Sequence, residues 1–153
     1  MSLLDQEAPG LRATLVRLSA GQRRRALCEA ILVISRGITD FEPRIREILE
    51  VAVRDQVLST DQLAELKKYT DDSDDRYFTA QEQGADERVW GNWFAKARLG
   101  AATLNLFRGA TLEDAAECAY ELCFAASDKQ IAIDAIESAM TRVHSPSNKS
   151  REQ

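Results

Sequence analysis

Apolar residues recur along this chain at steps of three and four, the period of an α-helix. Ile45, Ile48, Leu49, Ala52, Val53 and Val57 form one stripe. Ile131, Ile133, Ala135, Ile136, Ala139, Met140 and Val143 form another, and Leu112, Ala115, Ala116, Ala119, Leu122 and Cys123 a third. No run alternates with period two for long enough to argue for a strand.

Helix-start signals support the periodicity. Ser or Thr is followed three residues later by Gln, Glu or Asp at Ser19–Gln22, Thr39–Glu42, Ser59–Gln62, Thr111–Asp114 and Ser127–Gln130. In a capping box the hydroxyl takes the amide hydrogen of the third helical residue, whose side chain reaches back to the cap amide. Gly37 after Arg36 and Gly109 after Arg108 read as stops, since glycine accepts the left-handed conformation cheaply. Pro9 and Pro43 suit first turns. The pattern predicts helices over about 9–18, 20–36, 40–58, 60–70, 74–83, 86–108, 112–126 and 128–143. Short connections imply that consecutive helices pack as antiparallel neighbours. The expected fold is all-α, a single-domain bundle of about seven to eight antiparallel-packed helices over 1–143. His144 to Gln153 carries no apolar residue and is expected to be a disordered tail.

Charge changes this picture more than overall composition does. The chain has 153 residues, with 20 basic and 25 acidic ones, a net of −5. Residues 61–87 hold nine acids against three bases, and the flanking stretches are nearly neutral. An acidic surface repels phosphate, so neither nucleic acid nor an anionic membrane is an expected partner. No apolar run exceeds five residues, as in Ala30–Ile34, so no bilayer-spanning helix is expected. Arg23, Arg24 and Arg25, with Arg12 and Arg17, are the one basic cluster, and at about 100° per residue the three consecutive arginines diverge around a helix. Some of them are expected to pair with Glu29 or with the acidic segment.

Candidate chemistry is sparse. The single histidine, His144, falls in the expected tail, which leaves no base held within reach of a nucleophile. Cys28, Cys118 and Cys123 show no C-x-x-C spacing and read as buried free thiols. No glycine-rich phosphate loop is present, and no cofactor is expected. Asp71, Ser73, Asp75, Tyr77, Thr79 and Glu82 fall at positions 1, 3, 5, 7, 9 and 12 of a calcium-loop frame, and these twelve residues resemble an EF-hand loop. Arg76 stands where that loop requires glycine, so the reading favours a helix cap with solvated neighbours over a calcium site, and no metal is assigned.

Trp90, Trp93 and Phe94 share one helix face with Ala97 and Ala101, and Tyr77 and Phe78 lie just upstream. These aromatics are either core or the walls of a ligand pocket. Gly91 and Gly100 within the same helix suggest close approach of a neighbour. Glu113, Glu117 and Glu121 form an acidic stripe at steps of four.

The function expected from these features is non-enzymatic protein binding in the cytoplasm, with a basic protein as partner. Its contact residues are expected to be Asp71, Asp72, Asp74, Asp75, Glu113, Glu117 and Glu121. A toxin-neutralising or adaptor role fits such a surface, which would steer a basic partner to it. The alternatives are a regulatory small-molecule site walled by Tyr77, Phe78, Trp90, Trp93 and Phe94, and a degenerate calcium loop. Homo-oligomerisation is left open.

Overall fold

A computed structural model describes residues 3–109 and 111–144. Among them are eight helices and no strand: α1 (Leu3–Glu7), α2 (Leu11–Val16), α3 (Ala20–Ser35), α4 (Pro43–Asp55), α5 (Thr60–Glu82), α6 (Glu87–Leu106), α7 (Leu112–Ala125) and α8 (Lys129–His144). The chain is all-α. No described helix is long and apolar enough to cross a membrane.

The caps follow the sequence signals in part. Ser19 and Ser59 form complete capping boxes with Gln22 and Gln62. The Thr111 hydroxyl accepts from the Asp114 amide at 3.1 Å. The other two expected caps move along the chain. Pro43 occupies the first turn of α4 and makes Glu42 the N-cap, so Thr39 lies outside the helix. Asp128, not Ser127, accepts from the Gln130 amide at 2.7 Å, because a carboxylate is the stronger acceptor at a helix start.

The helix expected over 9–18 is shorter, α2 over Leu11–Val16, and starts after Gly10 in the left-handed conformation (φ 88°), while α1 before it has no counterpart in the sequence pattern. Gly37 and Gly109 do not take positive φ. That conformation belongs instead to Gly10, Gly84, Asp40 and Gln56.

The largest departure is α5, which runs unbroken from Thr60 to Glu82 and so joins the helices expected over 60–70 and 74–83 through residues 71–73. Lys67–Asp71 (3.0 Å) and Lys68–Asp72 (2.8 Å) ion pairs at i,i+4 offset part of the poor helix propensity of aspartate. The rest comes from packing: Leu66, Thr70, Ser73 and Ala80 form a buried seam toward α6.

One apolar cluster joins α1 to α8, with Leu15, Leu27, Ile48, Leu66, Leu99, Leu122 and Ile136 fully buried. α6 lies between α5 and α7, and α3 packs on α8, α4, α7 and α6. Ile131, expected in the α8 core stripe, is half exposed, as is Val57 beyond the end of α4.

Two arginines of the basic cluster close helix ends rather than pairing with acids. Arg23 Nη1 donates to the carbonyls of Leu15 and Leu18 at 3.2 and 2.6 Å. Arg24 Nη2 donates to those of Leu106 and Gly109 at 3.4 and 3.0 Å. Carbonyls at a helix C-terminus lack partners and carry partial negative charge, which a guanidinium satisfies. Glu29 instead meets Arg142 at 3.5 Å.

His144 is the last residue of α8, not the first of a tail. The rest of the expected tail, residues 145–153, lies outside the described residues.

Candidate functional site

α5 and α6 form a hairpin whose far end extends past the main core. Ala80 and Ala97 are buried between the two helices, yet neither belongs to the large apolar cluster. The five expected aromatic residues all lie at this end, but they form two sets. Tyr77 meets Phe78, Trp90 and Phe94, with ring centroids 5.0, 5.9 and 5.0 Å away. Trp93 stands apart from them, beside two cations: Arg76 lies 5.0 Å and Lys96 4.4 Å from its ring. Trp90 and Trp93 are three residues apart, which turns them about 60° from each other around the helix. Tyr77 and the two tryptophans are half-buried and Phe78 is 55% exposed, so the set is neither solid core nor the wall of a deep pocket.

Two open grooves share Trp93 and Val89. The first, about 550 Å³, adds Asp72, Asp75, Arg76 and Thr79 of α5. The second, about 610 Å³, lies between α6 and the α3–α4 connection, with Thr39, Asp40, Asn92 and Lys96 among its walls.

Lys96 is the unusual residue of the second groove, with a side chain only 4% exposed. Its Nζ donates to the Asp40 carbonyl at 2.9 Å and pairs with Glu42 Oε1 at 3.2 Å. Asn92 Nδ2 donates to the Thr39 carbonyl at 2.8 Å. Together they hold Asp40 in the left-handed conformation (φ 55°), which a non-glycine residue rarely adopts. The Tyr69 hydroxyl is buried near Glu42 and Ser73, and burial followed by the Glu42 carboxylate pushes its pKa upward. A buried ammonium needs such partners, because desolvation without them costs several kcal/mol.

The acidic residues expected to meet a partner are mostly engaged by the chain's own cations. Glu113 pairs with Arg12 at 2.6 Å, and Glu117 with Arg108 at 3.3 Å. Arg98 spans Glu121 at 2.9 Å and Asp74 at 3.2 Å. Glu113 and Glu117 remain exposed while paired to Arg12 and Arg108, and only Glu121 of the stripe is turned inward toward α6. Glu121 is largely covered, and burial first, with Asp74 and Glu117 adding to it, raises its pKa despite Arg98. Asp71 and Asp72 pair within α5, and Asp75 has no ion-pair partner among the described residues.

The calcium frame is removed by the same helix. With Asp71–Glu82 wound as α5, the six frame residues point around the axis rather than inward, and Ser73 is buried against α6. No group of three or more His, Cys, Asp or Glu among the described residues is placed to hold a metal. All three cysteines are buried and free. Burial pushes the Cys28 thiol up to about 12 and the Cys123 thiol up to about 11. His144 lines a third groove, of about 600 Å³, with Thr14, Arg17, Leu18, Glu137, Met140 and Thr141.

Lys96, Arg98 and Asp40 shape this region and carry no sequence signal of their own, while Glu42 carries only the helix-start signal it shares with Thr39. Lys96 and Arg98 read as two ordinary charges on a long helix. Their roles depend on the α3–α4 turn and α7, which fold against them from distant positions. Neither a family model, nor a curated protein, nor a solved structure matches this chain.

Proposed function

We propose that this protein is a non-enzymatic binding module whose docking surface is the far end of the α5–α6 hairpin, and that its partner is a basic protein. One observation carries this reading. Asp71, Asp72, Asp74 and Asp86 are paired by the chain's own cations, but Asp75, Glu82 and Glu87 at this end are exposed and make no ion pair among the described residues. The same end carries Val89 (49% exposed) beside half-buried Trp93, and Phe78 (55% exposed) beside Tyr77. Apolar and aromatic contacts inside a charged rim suit a protein interface, and tryptophan is enriched at the contacts that dominate binding. The acidic field would speed encounter with a cationic partner. The same field opposes self-association through this end, since two copies would bring like charges together. Neutralisation of a basic toxin and an adaptor role are both compatible with such a surface.

Selection of a random peptide display library tests the reading. The bait is the wild-type protein, with counter-selection on a variant carrying Asp72→Asn, Asp75→Asn, Glu82→Gln and Glu87→Gln. Peptides that are net positive and contain an apolar residue are the expected winners. A library that enriches nothing on wild type, or enriches equally on the variant, overturns the proposal.

A further inference from the structure

The groove between α5 and α6 already contains a cation of the chain's own. Arg76 lines it together with Asp72, Asp75, Thr79, Val89 and Trp93. Its guanidinium stands 5.0 Å from the centre of the Trp93 ring. Among the described residues Arg76 makes no hydrogen bond and no ion pair, so the indole is its one specific contact. Asp75, one residue away, is equally without an ion-pair partner among the described residues. Asp72 is committed to Lys68, but through Oδ2 alone at 2.8 Å, which leaves its other oxygen available. A planar guanidinium stacks on an aromatic face and forks onto carboxylates in a way that a lysine ammonium cannot match.

We infer that this groove is an arginine-recognition site, in which an arginine side chain of a basic protein partner takes the Trp93 face between Asp72 and Asp75, and that Arg76 is an intramolecular plug which the incoming arginine displaces. The inference rests on the protein-binding reading above and names the side chain through which the partner anchors. The plug is lightly held, because leaving the indole breaks no hydrogen bond and no ion pair. The incoming arginine gains that same face and adds the contacts with the carboxylates that Arg76 does not make.

The test uses the full chain carrying Trp90→Phe, which leaves Trp93 as the sole tryptophan. An arginine-rich peptide and its lysine counterpart of equal length and charge are titrated, with binding read by peptide anisotropy and by Trp93 fluorescence. The arginine peptide is expected to bind more tightly, to perturb Trp93 fluorescence, and to lose affinity with Asp75→Asn. Arg76→Ala is expected to tighten it by about two- to fivefold, the factor corresponding to an exposed cation–π contact. Arg88→Gln removes the same charge from the rim without freeing the indole and serves as the control. Equal binding of the two peptides, still weakened by Asp75→Asn, overturns arginine recognition and leaves the basic-partner reading standing. An arginine preference with equal gains from Arg76→Ala and Arg88→Gln overturns the plug alone. No binding of either peptide overturns both readings.

Discussion

Gly91 and Gly100 lie on the same helix and look alike in sequence, but their surroundings give opposite expectations. A Cβ at Gly91 meets nothing within 4 Å, whereas one at Gly100 would overlap the Thr70 hydroxyl. That hydroxyl is buried and donates to the Leu66 carbonyl at 2.8 Å. Gly91→Ala is therefore expected to stabilise by up to about 1 kcal/mol through helix propensity. Gly100→Ala is expected to destabilise by about 1–3 kcal/mol, because the overlap outweighs the same propensity gain. Urea denaturation of the two variants checks both signs. Glu121 gives a second expectation at this scale. Its folded pKa is raised above the ordinary 4.5, chiefly by burial, so the folded state binds the proton more tightly than the unfolded chain. The stability it contributes is complete below that ordinary value and is lost as pH rises through the folded one. The stability of wild type relative to Glu121→Gln should therefore fall as pH rises above the ordinary value of 4.5, and a rise instead would contradict the burial argument. Arg98→Leu should cost more at neutral pH, about 1–3 kcal/mol, because it leaves Asp74 and Glu121 together without their cation.

Helix ends show how far local chemistry carries. Ser59 caps α5 through both bonds of its box, so Ser59→Ala is expected to cost about 1 kcal/mol. Thr39 has the same sequence signature but caps nothing, and only its backbone carbonyl is used, by Asn92. Thr39→Ala is expected to change stability by less than about 0.5 kcal/mol. Thermal melts of the pair separate a cap that forms from one that Pro43 displaces. The middle of α5 shows the opposite limit. The stretch 71–73, which reads as a connection between two helices, is helical because α6 covers its inner seam and lysines one turn back neutralise its outer face. For the same reason the calcium frame dissolves, and millimolar calcium is expected to leave the melting temperature unchanged.

For the whole molecule, the consequential link is the one between the hairpin and the α3–α4 turn. Lys96 ties α6 to Asp40 and Glu42, some 54–56 residues earlier in the chain. Lys96→Met removes the cation and leaves Glu42 and the Asp40 carbonyl without it. The expected loss is about 2–4 kcal/mol, with faster hydrogen exchange concentrated at the start of α4 and the outer half of the hairpin. Uniform acceleration across the bundle would show instead that this contact does not localise the coupling.

The sequence by itself determined the all-α class and most helix positions, because the three-to-four-residue apolar period and the Ser19 and Ser59 caps are local properties that survive any arrangement of the helices. It also located the concentration of charge and the aromatics near one another. Only the tertiary structure decided which charges remain free. Glu113, Glu117, Glu121 and Asp74 are neutralised by Arg12, Arg108 and Arg98, which reach them across helix contacts. It also decided that Trp93 faces cations while Trp90 faces Tyr77, since a separation of about 60° on one helix becomes two environments once α5 packs beside it. Helix period is written along the chain, but pairing between helices depends on distances that fold into contact from far apart, and the candidate site is made of such pairings.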